Sequence, residues 1–230
     1  RAWQDAFPGD SFDFDYHLWR GHYLDAGHLD IARVLGEDVG ALADIGLNGY
    51  VSCQVQRVFS PTPLPMHVLA RRLWDREADL AAFEAETLAD AFGEDAPACR
   101  EYLEAVSEAF RALEPLLGAE GDAAAGALPA LARLGEALDA AQAPIARNLA
   151  HEDPCVAQSW AYLEAHRRHL EGLAGVLAAR SRGETVAAAE RWRRVEHDLQ
   201  ASEDAVQPVL DVWGYLEAMR RWLGYVETRR

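Results

Sequence analysis

The sequence predicts a mostly α protein in which a short βαβ unit is followed by a bundle of helices. Three observations carry this. Residues 12–18 and 50–56 alternate with a period of two, the segment between them has a helical period, and from Met66 onward only helical periodicity remains.

In the first strand Phe12, Phe14, Tyr16 and Leu18 share one face, and Asp13, Asp15, His17 and Trp19 share the other. In the second, Val51, Cys53 and Val55 point one way while Ser52, Gln54 and Gln56 point the other, with Arg57 at the exit. Between the strands, residues 29–45 set Ile31, Leu35, Val39, Leu42 and Ile45 on one stripe, with Glu37, Asp38 and Asp44 off it. Gly46 and then Asn48-Gly49 end this helix and turn the chain into the second strand. Parallel strands joined by a helix are covered on the helix side. The expectation is therefore that the apolar faces pack on the crossover helix and the polar faces point away. Polar side chains gathered at the C-terminal ends of parallel strands are what a ligand site needs.

After Arg57, prolines at 61, 63 and 65 keep a helix from starting before about Pro65, and Val58 to Pro65 reads as an extended loop closing over the strand ends. Helices are expected at 66–75, 77–92, 95–117, 128–148, 154–181 and 184–223. Breaks fall at Gly93, Gly118 to Gly126, Asp153-Pro154 and Arg182-Gly183, with an interruption near Pro208. Leu163, His166, Leu170, Leu173 and Leu177 keep the three-to-four spacing of an antiparallel bundle. Trp74, Trp160, Trp192, Trp213 and Trp222 read as core or interhelical aromatics. The division is residues 1–65 for the βαβ unit and 66–230 for the helical region.

Composition narrows the partners. The 230 residues carry 38 acidic against 22 basic side chains, all of the latter Arg, for a formal charge of −16. A basic stripe is missing, so nucleic acid is not an expected partner. No apolar run is long enough to cross a bilayer and no secretory signal is visible, so a membrane is not expected either. The first strand starts almost at once and no initiator Met precedes it, so the natural chain is expected to extend upstream. Location is left open, with the cytoplasm favoured. Three widely spaced cysteines, Cys53, Cys99 and Cys155, argue for reduced, mostly buried thiols rather than a disulfide framework or a zinc site.

Residues 14–42 together with 46–75 resemble the bacterial family called domain of unknown function 4838. The most specific pieces are Asp15-Tyr16-His17, Gly49-Tyr50-Val51-Ser52-Cys53-Gln54, Gln56-Arg57 and Leu73-Trp74-Asp75. Members of that family are similar to glycoside hydrolases with TIM-barrel catalytic domains, often extended by a helical C-terminal region. The resemblance implies that the two strands are the last of a (β/α)8 barrel, that the rest of the barrel lies upstream, and that the helices form a C-terminal bundle. It implies a carbohydrate substrate. The rival reading is a noncatalytic helical module for interaction or oligomerisation, and a homo-oligomer remains open.

In such a barrel Asp15, His17, Gln54 and Gln56 line the C-terminal mouth. Glycosidases use two carboxylates from different strands, about 5 to 9.5 Å apart, so Asp13 and Asp15 on one strand are not that pair. Asp15 stays open between one catalytic member, a sugar ligand and a carboxylate that ties down a loop. Tyr16, His17, Trp19 and Arg20 suit sugar stacking and hydroxyl binding, against the plainer readings of a satisfied core histidine and a surface cation. Gln54, Gln56 and Arg57 are the strongest binding candidates, because polar groups on an internal strand need partners.

Asp13, Asp15, His17, His22 and His28, and separately His166, His169 and Glu164, are dense in possible metal ligands, yet no recognised ligand spacing is present, and neither metal nor cofactor is expected. GxGxxG, P-loop and GxSxG signatures are absent, which disfavours nucleotide and serine-hydrolase chemistry.

Overall fold

The computed structural model describes residues 2–7, 9–117 and 126–225. Its elements are α1 (Ala2–Ala6), β1 (Phe12–Asp15), α2 (Leu29–Ala41), β2 (Gly49–Ser52), α3 (Leu64–Trp74), α4 (Leu80–Phe92), α5 (Ala96–Leu113), α6 (Leu128–Asn148), α7 (Pro154–Ser181), α8 (Thr185–Ala201), α9 (Glu203–Val206) and α10 (Val212–Trp222). Short 3-10 turns occupy Gly21–Leu24, Leu42–Ile45, Gly93–Asp95 and Glu114–Leu116. The expected break at Gly118 to Gly126 lies outside the described residues apart from Gly126.

The helical boundaries follow local chemistry. Asp153 caps α7 by accepting from the Cys155 amide at 2.8 Å, and Pro154 sits at the first helical position, where its missing N–H costs nothing. Asp79 caps α4 and Asp211 caps α10 in the same way. The long C-terminal stretch becomes α8, α9 and α10, interrupted at Ser202 and again around Pro208.

β1 and β2 are parallel, with Phe12 opposite Gly49, Asp13 opposite Tyr50, Phe14 opposite Val51 and Asp15 opposite Ser52. The strands are shorter than the alternation suggests. The Asp15 carboxylate accepts the His17 amide at 3.1 Å, an Asx-type turn that takes the chain out of the ladder. Beyond that point only the Cys53 and Val55 amides, donating to the Asp15 and Leu18 carbonyls, keep the two segments together.

Among the paired residues the expected orientation of the faces is reversed, while past the ladder Leu18 and Val55 are buried and Gln54 and Gln56 exposed, as expected. Asp15 is 5 % exposed, whereas Phe12, Phe14 and Val51 are 63 %, 52 % and 44 % exposed. The polar face turns toward the protein because its groups find partners there: Tyr50 and His17 bond Asp15, and His17 reaches Asp38 on α2. The apolar stripe of α2 buries Ala32, Leu35 and Val39, and the helix packs against α3 and α5.

Helices α5, α6, α7 and α8 pack in sequence. Gly172 meets Val195 and Gly175 meets Arg191, so α7 and α8 run antiparallel, with backbone close to side chain. Leu103, Phe110, Leu134, Ile145, Trp160, Leu163 and Leu170 fill the centre. One apolar cluster extends from Leu18 and Tyr23 through Leu35 to Leu223, so the βαβ unit and the helices share a core.

Two expectations need correction. Trp160 and Trp192 are buried, but Trp74, the last residue of α3, and Trp213, in the first turn of α10, are 88 % and 56 % exposed. The proline-rich segment starts as an extended stretch paired to the C-terminal helical region, and its last two residues, Leu64 and Pro65, already belong to α3. Val58 bridges Leu210, and the Phe59 amide donates to the Val209 carbonyl at 3.0 Å, which ties the segment to the returning C-terminal helices.

Candidate functional site

Because β1 and β2 are parallel and in register, the chain leaves both at the same end of the sheet, and that end carries the residues singled out from the sequence. Asp15 is the hub. Its Oδ2 accepts from the Tyr50 hydroxyl at 2.5 Å and from the His17 amide, and its Oδ1 meets His17 Nδ1. His17 Nε2 lies 3.1 Å from Asp38 Oδ2, so the imidazole spans two carboxylates and ties β1 to α2. Burial, reinforced by the bond to Asp15, holds the Tyr50 phenol above its ordinary range. Both oxygens of Asp15 are thus engaged within the protein.

The other candidates surround this hub differently. Tyr16 and Trp19 are exposed, the former edge-on to Phe14 at 5.1 Å. Arg20 lies over the Trp19 ring at 5.3 Å and donates to Glu217 on α10 at 3.0 Å, with its Nε buried and unpartnered. Gln54 and Gln56 are exposed and Arg57 is half-buried, all beyond the end of β2 rather than inside a strand. The burial argument that favoured them does not hold here, since solvent supplies their hydrogen bonds. All eight candidates lie at or just past the C-terminal ends of β1 and β2, where Asp15 bonds His17 and Arg20 lies over Trp19.

A second constellation escaped the sequence reading. His22, His28, His166 and His169 line one cavity of about 50 Å³ between the βαβ unit and the helices, together with Tyr23 and Tyr215. The rings touch in a chain, His28 to His22 at 5.8 Å, His22 to Tyr23 at 4.0 Å, Tyr23 to Tyr215 at 5.1 Å and Tyr215 to His169 at 4.8 Å. Most of the imidazoles are accounted for. His28 Nδ1 meets the Thr62 carbonyl, Tyr102 bonds His166 at 2.9 Å, and Tyr215 bonds His169 at 2.6 Å.

His22 differs, since it is fully buried and neither of its ring nitrogens has a partner; the Tyr23 hydroxyl beside it is in the same position. Burial lowers His22 to about 2, His166 to about 3 and His169 to about 4, and lowers His28 as well. The signal in the sequence was partial. His166 and His169 stand at i and i+3, but nothing in spacing joins them to His22 and His28 more than a hundred residues earlier.

Among the described residues no three His, Cys, Asp or Glu side chains converge as metal ligands, and no helix is long and apolar enough to cross a membrane. Compared with family models, curated proteins and solved structures, the chain matches none, so the resemblance stated from the sequence rests on the quoted residues.

Proposed function

We propose that this chain is the C-terminal part of a glycoside hydrolase-like, carbohydrate-active enzyme, with β1 and β2 as strands of a (β/α)8 barrel and α3 to α10 as a helical appendage. One observation carries the reading. Among the described residues the sheet has two strands, and its face opposite the crossover-helix side exposes Phe12, Phe14 and Val51. In a barrel the face turned from the helices is the interior, filled by bulky apolar side chains, and further strands pair with the open edges. In this reading the sheet end that carries the candidate residues is the barrel mouth. Tyr16 and Trp19 then offer aromatic faces to a sugar, while Gln54, Gln56 and Arg57 offer hydrogen bonds to its hydroxyls. Asp15 and His17 act as positioning residues, since their polar atoms already hold β1, β2 and α2 together, and the catalytic carboxylates come from other strands.

The test uses the complete natural polypeptide. Gln54→Ala and Arg57→Ala are expected to lower kcat/KM on aryl glycosides by about tenfold, the loss of one or two ligand hydrogen bonds, with thermal unfolding unchanged. Full activity in both variants would place the site elsewhere. If the complete protein turns over no glycoside and Phe14→Ser alters only its association state, the rival reading as a noncatalytic oligomerisation module takes over.

A further inference from the structure

We propose that the His22 chamber and the groove outside it form a binding site for a hexose-type sugar, whose hydroxymethyl arm enters the chamber while the ring lies in the groove. This site is separate from the sheet end, and neither reading requires the other.

The chamber sets the chemistry of whatever enters. Its lining is His22, Tyr23, His28, His166, His169 and Tyr215 with small and apolar residues between them, and no Asp, Glu or Arg. None of the nearby charges lines the chamber: Arg20 reaches Glu217 through its terminal nitrogen, Arg167 pairs with Glu164 and Glu171, Asp25 with Ser107 and the Ile31 amide, and Asp211 with the Gly214 amide. An anion or an ammonium group would therefore be buried without a counter-charge, at prohibitive cost, so the entering group is neutral. Burial keeps the His22 ring neutral as well, with one nitrogen a donor and the other an acceptor, and the Tyr23 hydroxyl can do either. A ligand hydroxyl answers both, as a water would in the ligand's absence. The chamber, at about 50 Å³, is far smaller than the groove of about 510 Å³ beside it, which places the narrow –CH2OH arm in the chamber and the ring in the groove.

The rest of the ligand has a place. A groove of about 510 Å³ runs between α7 and α8, and Ala165, His169, Leu199 and Ser202 line both it and the chamber. The two spaces therefore adjoin across these four residues. The groove carries Glu164, Arg168 and Asp198 along with Leu149 and Val195, a mixture of hydroxyl partners and apolar surface in the size range of small-molecule sites.

Hexoses differ from their pentose homologues by the hydroxymethyl arm, which makes the test direct. Imidazole nitrogen resonances of the wild-type chain are followed by NMR while D-glucose, D-galactose or D-mannose is added, each against D-xylose, L-arabinose or D-lyxose. At least one hexose is expected to shift the His22 ring signals and to bind about tenfold more tightly than its pentose partner, the difference of one buried hydroxyl satisfying the site. In His22→Leu that preference should vanish while pentose binding persists. Equal binding of each pair, or His22 signals that no hexose moves, overturns the proposal, and the wild-type measurement decides it even if the variant fails to fold.

Discussion

Gly27 shows how one residue can fix the junction of the two halves of the molecule. A Cβ there would lie 2.1 Å from the Leu103 carbonyl oxygen and 2.7 Å from the Ser107 amide nitrogen, both backbone atoms of α5 that cannot step aside. The close approach lets the Ser107 hydroxyl donate to Asp25 at 2.5 Å and accept the Leu29 amide at 3.3 Å, while the other Asp25 oxygen takes the Ile31 amide at 2.8 Å. The first turn of α2 is thereby fastened to α5. Gly27→Ala is expected to cost about 3 kcal/mol or more, because it forces the loop off the helix and breaks these bonds together. Ser107→Ala, which removes only the hydroxyl, should cost about 1 to 3 kcal/mol. Urea unfolding of the two variants checks the order. If Gly27→Ala proves the milder of the two, the loop has room that the packing denies it.

At the scale of elements, the two strands differ from the helices in how they are stabilised. α7 is closed by its own Asp153 cap and packed between α6 and α8, whereas β1 and β2 have four residues each, no further strand on either edge among the described residues, and an apolar face in solvent. That face is expected to associate. Light scattering of the 230-residue chain should show concentration-dependent self-association, and Phe12→Ser with Phe14→Ser should reduce it while changing stability by less than about 1 kcal/mol, since exposed side chains contribute little to the core. A chain that stays monomeric at every concentration, or a double variant that unfolds, would refute this.

The same contrast explains what could be read in advance. The bounds of α7 were legible because its Asp153 cap, Pro154 and the apolar period agree locally, and those of α6 because Pro129 at its start agrees with the apolar period. The alternation of β1 announced a strand but not which face is inside, since a period of two is symmetric. The choice was made by Tyr50 and Asp38, partners that no local pattern around Asp15 reveals. The candidates at the sheet end were legible as residues for the same local reason, while the histidine chamber depends on α7 returning past the 3-10 turn at Gly21–Leu24.

The molecule as a whole carries four of its eight histidines in that chamber, and this sets its response to acid. His22, His166 and His169 are lowered to about 2, 3 and 4, with His28 lowered too, each chiefly by burial, whereas in the unfolded chain they titrate near 6.5. Below that pH the unfolded state takes up protons that the folded state refuses. Stability is therefore complete above about pH 6.5 and declines as the pH falls, by about 1.4 kcal/mol per pH unit for each such histidine. Asp95 and Glu164 are held below the usual carboxylate range, so they lose their contribution in the same direction, but only below about pH 4.5. Between about pH 6.5 and 4.5 the histidines alone set the slope. Two such histidines, His22 and His166, account for about 3 kcal/mol per pH unit, enough to exhaust an ordinary domain's 5–15 kcal/mol within a few pH units. Urea titrations at about pH 7.5, 6.5, 5.5 and 5.0, followed through the fluorescence of buried Trp160 and Trp192, should show this loss, and His22→Leu should flatten the slope by about 1.4 kcal/mol per pH unit. A free energy of unfolding constant from about pH 7.5 to 5.0 would mean that these imidazoles reach water in the folded chain, and the shared core between the βαβ unit and the helices would have to be looser than the packing shows.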